Sequence, residues 1–122
     1  MKTILLFGAG KSATVLIDYL LENSIIENWK IVVVDADLKL AQTKIGGAQR
    51  AMAISFDIND TAERNKHIRH SDIVISLLPP DLHIRVAESC IEAKKNLLTA
   101  SYVDDAIRNL QSKIKSQNLF FL

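Results

Sequence analysis

The stretch that most constrains this chain is Ile4-Leu5-Leu6-Phe7-Gly8-Ala9-Gly10-Lys11-Ser12-Ala13. Four apolar residues running into Gly-Ala-Gly predict a buried strand that ends in a tight turn. From Ser12 onward the apolar spacing becomes that of a helix. A strand, a glycine turn and a helix N-terminus together make an anion site, because unpaired backbone N–H groups and the helix dipole converge on the turn. In this reading Gly8 allows the turn and Gly10 lets the backbone approach a pyrophosphate without a Cβ in the way. Ala13 lets helix and strand pack closely, so Gly-x-Gly-x-x-Gly/Ala is present in its accepted variant. Gly10-Lys11-Ser12 could also end a triphosphate-binding loop, which needs a glycine five positions before Gly10. Leu5 stands there, inside the apolar strand, so no loop is available to wrap phosphates.

The rest of the chain alternates in the same way. Val15, Leu16, Tyr19 and Leu20 predict a helix from Ser12 to about Asn23. Ile31 to Val34 is β-branched without alternation, as in a central strand covered on both faces, and it ends at Asp35. Asp37 can cap a helix from Leu38 to Ile45 that Gly46-Gly47 stops. Ala51 to Phe56 reads as a third strand closed by Asp57, followed by a short polar helix capped among Asn59, Asp60 and Thr61 and reaching about His70. Ile73 to Leu78 is a fourth strand halted by Pro79-Pro80, and Pro80 suits the first turn of a helix that buries Val86, Cys90 and Ala93. Asn96 to Thr99 makes a fifth strand, Val103 to Lys115 a helix, and Asn118 to Leu122 begins a sixth strand.

That order predicts an α/β fold: a Rossmann-type doubly wound parallel sheet with right-handed crossovers, in one three-layer domain over residues 1–122. The expected strand order is 3-2-1-4-5-6, with the ligand across the carboxyl ends of strands one and four. Because the chain stops in an apolar strand, it reads as the dinucleotide-binding part of something longer, with a substrate domain expected beyond residue 122.

Composition excludes several classes of partner. A net charge of +1 offers no phosphate-backbone or membrane-surface dock, so neither nucleic acid nor membrane is expected. No apolar run is long enough to span a bilayer, and Lys11 cuts short the faint signal-peptide character of the first residues. Cys90 is the single cysteine, which rules out an internal disulfide and fits a reducing, cytoplasmic location.

Candidate site residues follow from the strand ends. Asp35, 25 residues after Gly10, can accept hydrogen bonds from both ribose hydroxyls of an adenosine while repelling a 2′-phosphate, which favours NAD over NADP. Ala36 follows, where an arginine would argue for NADP; Lys39 keeps NADP open. Asp57, with Ile58 beside it, can accept from the adenine amino group or serve as a turn carboxylate. The backbone of Ser76 to Pro80 is expected along the ribose and nicotinamide side. Ser101 and Tyr102 follow the fifth strand on the same sheet edge, where hydroxyls can meet a substrate carboxylate or the nicotinamide ribose; spacing alone makes them ordinary loop polarity. Ala106 stands where a Tyr-x-x-x-Lys pair would need lysine. His83 reads as a partly buried structural group one turn into its helix, His67 and His70 as solvated, and Cys90 as core. No His/Cys/Asp/Glu grouping has metal-ligand spacing, and no catalytic acid or base is assigned.

Asp72-Ile73-Val74-Ile75-Ser76-Leu77-Leu78-Pro79, then His83, then Leu98-Thr99-Ala100-Ser101-Tyr102-Val103 resembles the saccharopine dehydrogenase family. The likeness is greatest to the glutamate-forming enzymes and the matching half of the bifunctional lysine-degrading enzyme. With Gly8-Ala9-Gly10 and Asp57 it covers essentially the whole chain. The resemblance implies a nicotinamide-dependent oxidoreductase acting at the secondary amine of saccharopine or a related amino acid, yielding glutamate and aminoadipate semialdehyde in one direction. It implies cofactor contacts from Ala9, Gly10, Lys11 and Ser12, from Asp35 and from Asp57, beside which Gly8, Ala36 and Ile58 are also expected to meet the cofactor. Leu78 to Pro80 and Ala100 to Tyr102 complete the set, and Ser101 and Tyr102 also reach substrate. Pro80 departs from the tyrosine frequent in the family. Homodimerisation is compatible with this reading. The competing class is a stand-alone dinucleotide-sensing domain of the potassium-transport type, which shares the glycine turn and Asp35 but gives no reason for Ser-Leu-Leu-Pro or Ala-Ser-Tyr-Val.

Overall fold

Strand β1 (Lys2–Phe7) lies at the centre because both its faces are apolar: Ile4 to Phe7 are all buried. The computed structural model of the chain describes residues 1–99. A 3-10 turn (Lys11–Ala13) leads into α1 (Thr14–Glu27), then β2 (Trp29–Val34), α2 (Leu38–Ile45) and β3 (Ala51–Ile54). The chain crosses to α3 (Thr61–Arg69), β4 (Ile73–Ser76), α4 (Pro80–Ala93) and β5 (Asn96–Thr99). The sheet order is β3-β2-β1-β4-β5, all parallel, as expected for these five strands. The expected sixth strand and the helix before it lie outside the described residues.

Alternation along β1 assigns its side chains to two cores. Leu5 and Phe7 join Val32, Val34, Val74, Ile68, Val86 and Cys90 under α3 and α4. Ile4 and Leu6 join Ile17, Leu20, Ile31, Val33 and Ala41 under α1 and α2. Parallel pairing of β1 with β2 and with β4 aligns Phe7 with Val34 on one side and Ser76 on the other. The carboxyl ends of the three central strands therefore open on one edge, where the order reverses between β1 and β4.

Several helix limits differ from the sequence reading for identifiable reasons. α1 begins as a 3-10 turn and runs on through Ile25 and Ile26 to Asn28, which adopts φ 60° and supplies the left-handed stop that Asn tolerates. Its buried residues are Ile17, Leu20 and Ser24, whereas Val15 and Tyr19 face solvent. The Asp37 carboxylate accepts the Leu40 N–H, and Gly46 ends α2 at φ 58°. β3 stops at Ile54 rather than Phe56, so Ser55 and Phe56 leave the ladder and enter the crevice loop.

Candidate dinucleotide crevice

The glycine turn is fastened from two sides. Gly8 N–H donates to the Val34 carbonyl at 2.8 Å, and Leu77 N–H donates to the Phe7 carbonyl at 2.9 Å. Gly8 has φ +102°, a conformation that glycine adopts without steric cost, and a Cβ there would sit 3.4 Å from the Leu77 backbone. Gly10 is different: its φ is −70° and a Cβ would meet nothing within 4 Å. The space over Gly10 is thus open beside a helix start, the arrangement that admits a pyrophosphate. Ala9 and Ala13 are fully buried, as the close packing of turn, helix and strand demands, while Gly10 and Lys11 are exposed.

Asp35 does more than cap the end of β2. One carboxylate oxygen accepts the Ala9 N–H at 2.7 Å and the other accepts the Asp37 N–H at 2.9 Å. The same side chain therefore ties the second strand to the glycine turn and is half-buried at the crevice wall.

The crevice itself has a volume of about 530 Å³. Phe7, Val34, Phe56, Ile58, Leu78 and Leu82 give it an apolar lining, and Asp35, Ala36, Ser55, Asp57 and Asn59 give it a polar rim. Asp35, Ala36, Asp57, Ile58 and Leu78 were expected there and are brought together. Gly8 to Ser12 and Pro79 lie at the neighbouring turn and helix start, outside this lining. Ala100, Ser101 and Tyr102 lie outside the described residues. Phe56, Ser55, Asn59 and Leu82 were not anticipated. An aromatic two residues beyond the end of the strand and just before Asp57 was the signal available for Phe56.

Phe56 meets Phe7 edge-on at 6.2 Å and stacks on His67 at 5.3 Å with an interplanar angle of 7°. His67 is therefore half-buried rather than solvated, and burial, with Lys66 beside it, lowers its pKa against the opposing pull of Glu63. His70 is exposed, with Nδ1 2.7 Å from the Lys66 carbonyl. His83 is buried in α4 and not part of the crevice lining. Cys90 is buried, and desolvation pushes its thiol up to about 12. Among the described residues no group of His, Cys, Asp and Glu could hold a metal ion, and no helix is long and apolar enough to cross a membrane.

A doubly wound parallel sheet with an anion-accepting glycine turn at its switch point, opening on an apolar crevice with an acidic rim, defines a Rossmann-type dinucleotide-binding domain. Residues 4–122 match the family described as the saccharopine dehydrogenase NADP binding domain, and the chain belongs to that family. It is 39% identical over 92 residues to alpha-aminoadipic semialdehyde synthase of Arabidopsis thaliana, covering 75% of this chain and 9% of that protein. It is 32% identical over 118 residues to the NADP(+), L-glutamate-forming saccharopine dehydrogenase of Pyricularia oryzae, covering 97% of this chain and 25% of that one. Apo saccharopine dehydrogenase (L-Glu forming) of Saccharomyces cerevisiae superimposes with a TM-score of 0.89 at 31% identity, over 99% of this chain and 26% of that one. The chain thus spans about a quarter of the length of these fungal relatives.

Proposed function

We propose that this chain is the dinucleotide-binding part of a nicotinamide-dependent oxidoreductase acting on the CH–NH group of saccharopine or a related amino acid. The observation that carries this reading is the family match over residues 4–122. The open space over Gly10 and the crevice beside it support the reading. When bound, the nicotinamide ring supplies the hydride acceptor or donor. The turn holds the pyrophosphate by the backbone N–H groups of Gly10 to Ser12, those of Gly8 and Ala9 being taken by Val34 and Asp35. Asp35 meets the adenosine ribose, Asp57 and Ile58 flank the adenine, and Leu78 to Pro80 lie along the nicotinamide side. Ser101 and Tyr102 reach cofactor and substrate.

The names of the fungal relatives and the family description favour NADP, against the expectation drawn from Asp35 alone. Lys39, exposed in the first turn of α2, offers the positive charge a 2′-phosphate needs, and Asp35 is the group that opposes it. We assign the site to NADP as well as NAD, with the balance set between these two side chains.

Hydride transfer needs the substrate carbon held against the nicotinamide with water largely excluded. One doubly wound domain supplies one wall of such a cleft, and a substrate domain beyond residue 122 supplies the other, in a cytoplasmic enzyme. The test is to assay this chain and the Pyricularia enzyme side by side with saccharopine and either cofactor, following absorbance of the reduced nicotinamide. Cofactor binding without turnover is expected from this chain. Robust turnover by the 122 residues alone contradicts the two-wall reading.

A further inference from the structure

Arg64 is 6% exposed on α3, an uncommon place for a guanidinium. Its Nε donates to the Ser89 hydroxyl of α4 at 2.8 Å, and one terminal nitrogen donates to the Ile58 carbonyl. Burial lowers its pKa and Arg85 adds to that effect, while Glu88, Asp60 and Glu92 oppose it. None of these carboxylates forms an ion pair with Arg64 among the described residues, so the desolvation is met by a hydroxyl and a carbonyl. An apolar side chain of similar length would fill the space between α3 and α4 at less cost. What the guanidinium adds is a bridge from α4 to the loop between β3 and α3.

That loop forms one wall of the crevice. Its Asp57 carboxylate accepts the Asn59 N–H at 2.9 Å, and the Asp57 carbonyl accepts the Asp60 N–H at 2.8 Å. These bonds set the local turn, yet they do not fix the turn relative to the sheet. The Ser55 hydroxyl ties the start of the loop to the Ala36 carbonyl at 3.1 Å, and Arg64 ties Ile58 to Ser89 of α4, with the Ile58 side chain and the exposed Asp57 on the crevice.

We propose that Arg64 is a positioning residue for the adenine-side wall, setting through Ile58 and Ser89 where Asp57 meets the adenine amino group. This rests on the dinucleotide reading of the crevice. The discriminating ligand pair is NAD and nicotinamide hypoxanthine dinucleotide, which differ at the group that Asp57 would accept from. In calorimetry the native 122-residue chain binds the adenine form about tenfold more tightly, the order expected of one charge-assisted hydrogen bond. In Arg64→Met the preference falls to within about twofold, while thermal unfolding shows that the chain remains folded. If Arg64→Met does not fold, Ser89→Ala, which releases the guanidinium from α4 while keeping its charge, shows a partial loss of the same preference. An equal weakening of both ligands, or an unchanged preference, overturns the proposal and leaves Arg64 a packing residue. Equal binding of the two ligands by the native chain overturns it too. A native chain that binds neither ligand overturns the crevice reading itself.

Discussion

Gly8 and Gly10 are two letters of one motif with opposite physical roles. The first is required by the protein: its φ of +102° strains any L side chain, whereas the second is required only by what the turn accommodates. Gly8→Ala should therefore lower stability by about 1–3 kcal/mol, read as a shifted denaturant midpoint with unchanged slope. A midpoint within error of native would mean that the turn relaxes at no cost. Asp35 was legible as the acidic end of a strand, but its bond to the Ala9 N–H was not, since nothing in the sequence pairs residues 26 apart. Because the carboxylate both anchors the turn and opposes a 2′-phosphate, Asp35→Ser should raise the ratio of NADP to NAD affinity while weakening NAD binding. Weakening of both cofactors in the same proportion would reduce Asp35 to an anchor.

At the scale of elements, periodicity identified the helices better than it identified their faces. α1 reads Val-Leu-Ile-Asp-Tyr-Leu-Leu, with apolar residues at so many angles that no single stripe stands out. Contact with β1 and β2 selects Ile17, Leu20 and Ser24, leaving Val15 and Ile26 each 81% exposed. Ile17→Ala should then cost about 2–5 kcal/mol, whereas Val15→Ala should stay within about 0.5 kcal/mol. Comparable losses at both positions in chemical denaturation would contradict the assigned face. α3 was legible as a polar helix, and its polarity concealed the stack of His67 on Phe56. The folded pKa of His67 lies below the unfolded value near 6.5, so the unfolded chain binds more protons as the medium is acidified. Stability is therefore full above that unfolded value and declines as pH falls through it toward the folded pKa. In His67→Gln the decline between about pH 7.5 and 5.5 should be shallower, and an identical profile would place the pH dependence elsewhere.

Over the whole molecule, strand order was the most legible property. Short alternating connections and right-handed crossovers leave few ways to arrange five parallel strands, and the glycine turn after the first of them selects β3-β2-β1-β4-β5. The crevice followed from that order, because the carboxyl ends of β1, β2 and β4 meet where it reverses. Asp57 and Ile58 on the wall between β3 and α3 were legible from the strand end, but the bond from the buried Arg64 to the Ile58 carbonyl was not, since it belongs to no local pattern. In the proposed function the open space over Gly10 is the place of a dinucleotide pyrophosphate. Calorimetric titration of NADP and NAD into the native chain and Gly10→Val is the test. At φ −70° the backbone is extended and a Cβ meets nothing within 4 Å, so the variant should unfold within a few degrees of native yet lose at least about a hundredfold in affinity for both cofactors. A Gly10→Val chain that binds either cofactor as tightly as the native one would place the pyrophosphate elsewhere than over Gly10.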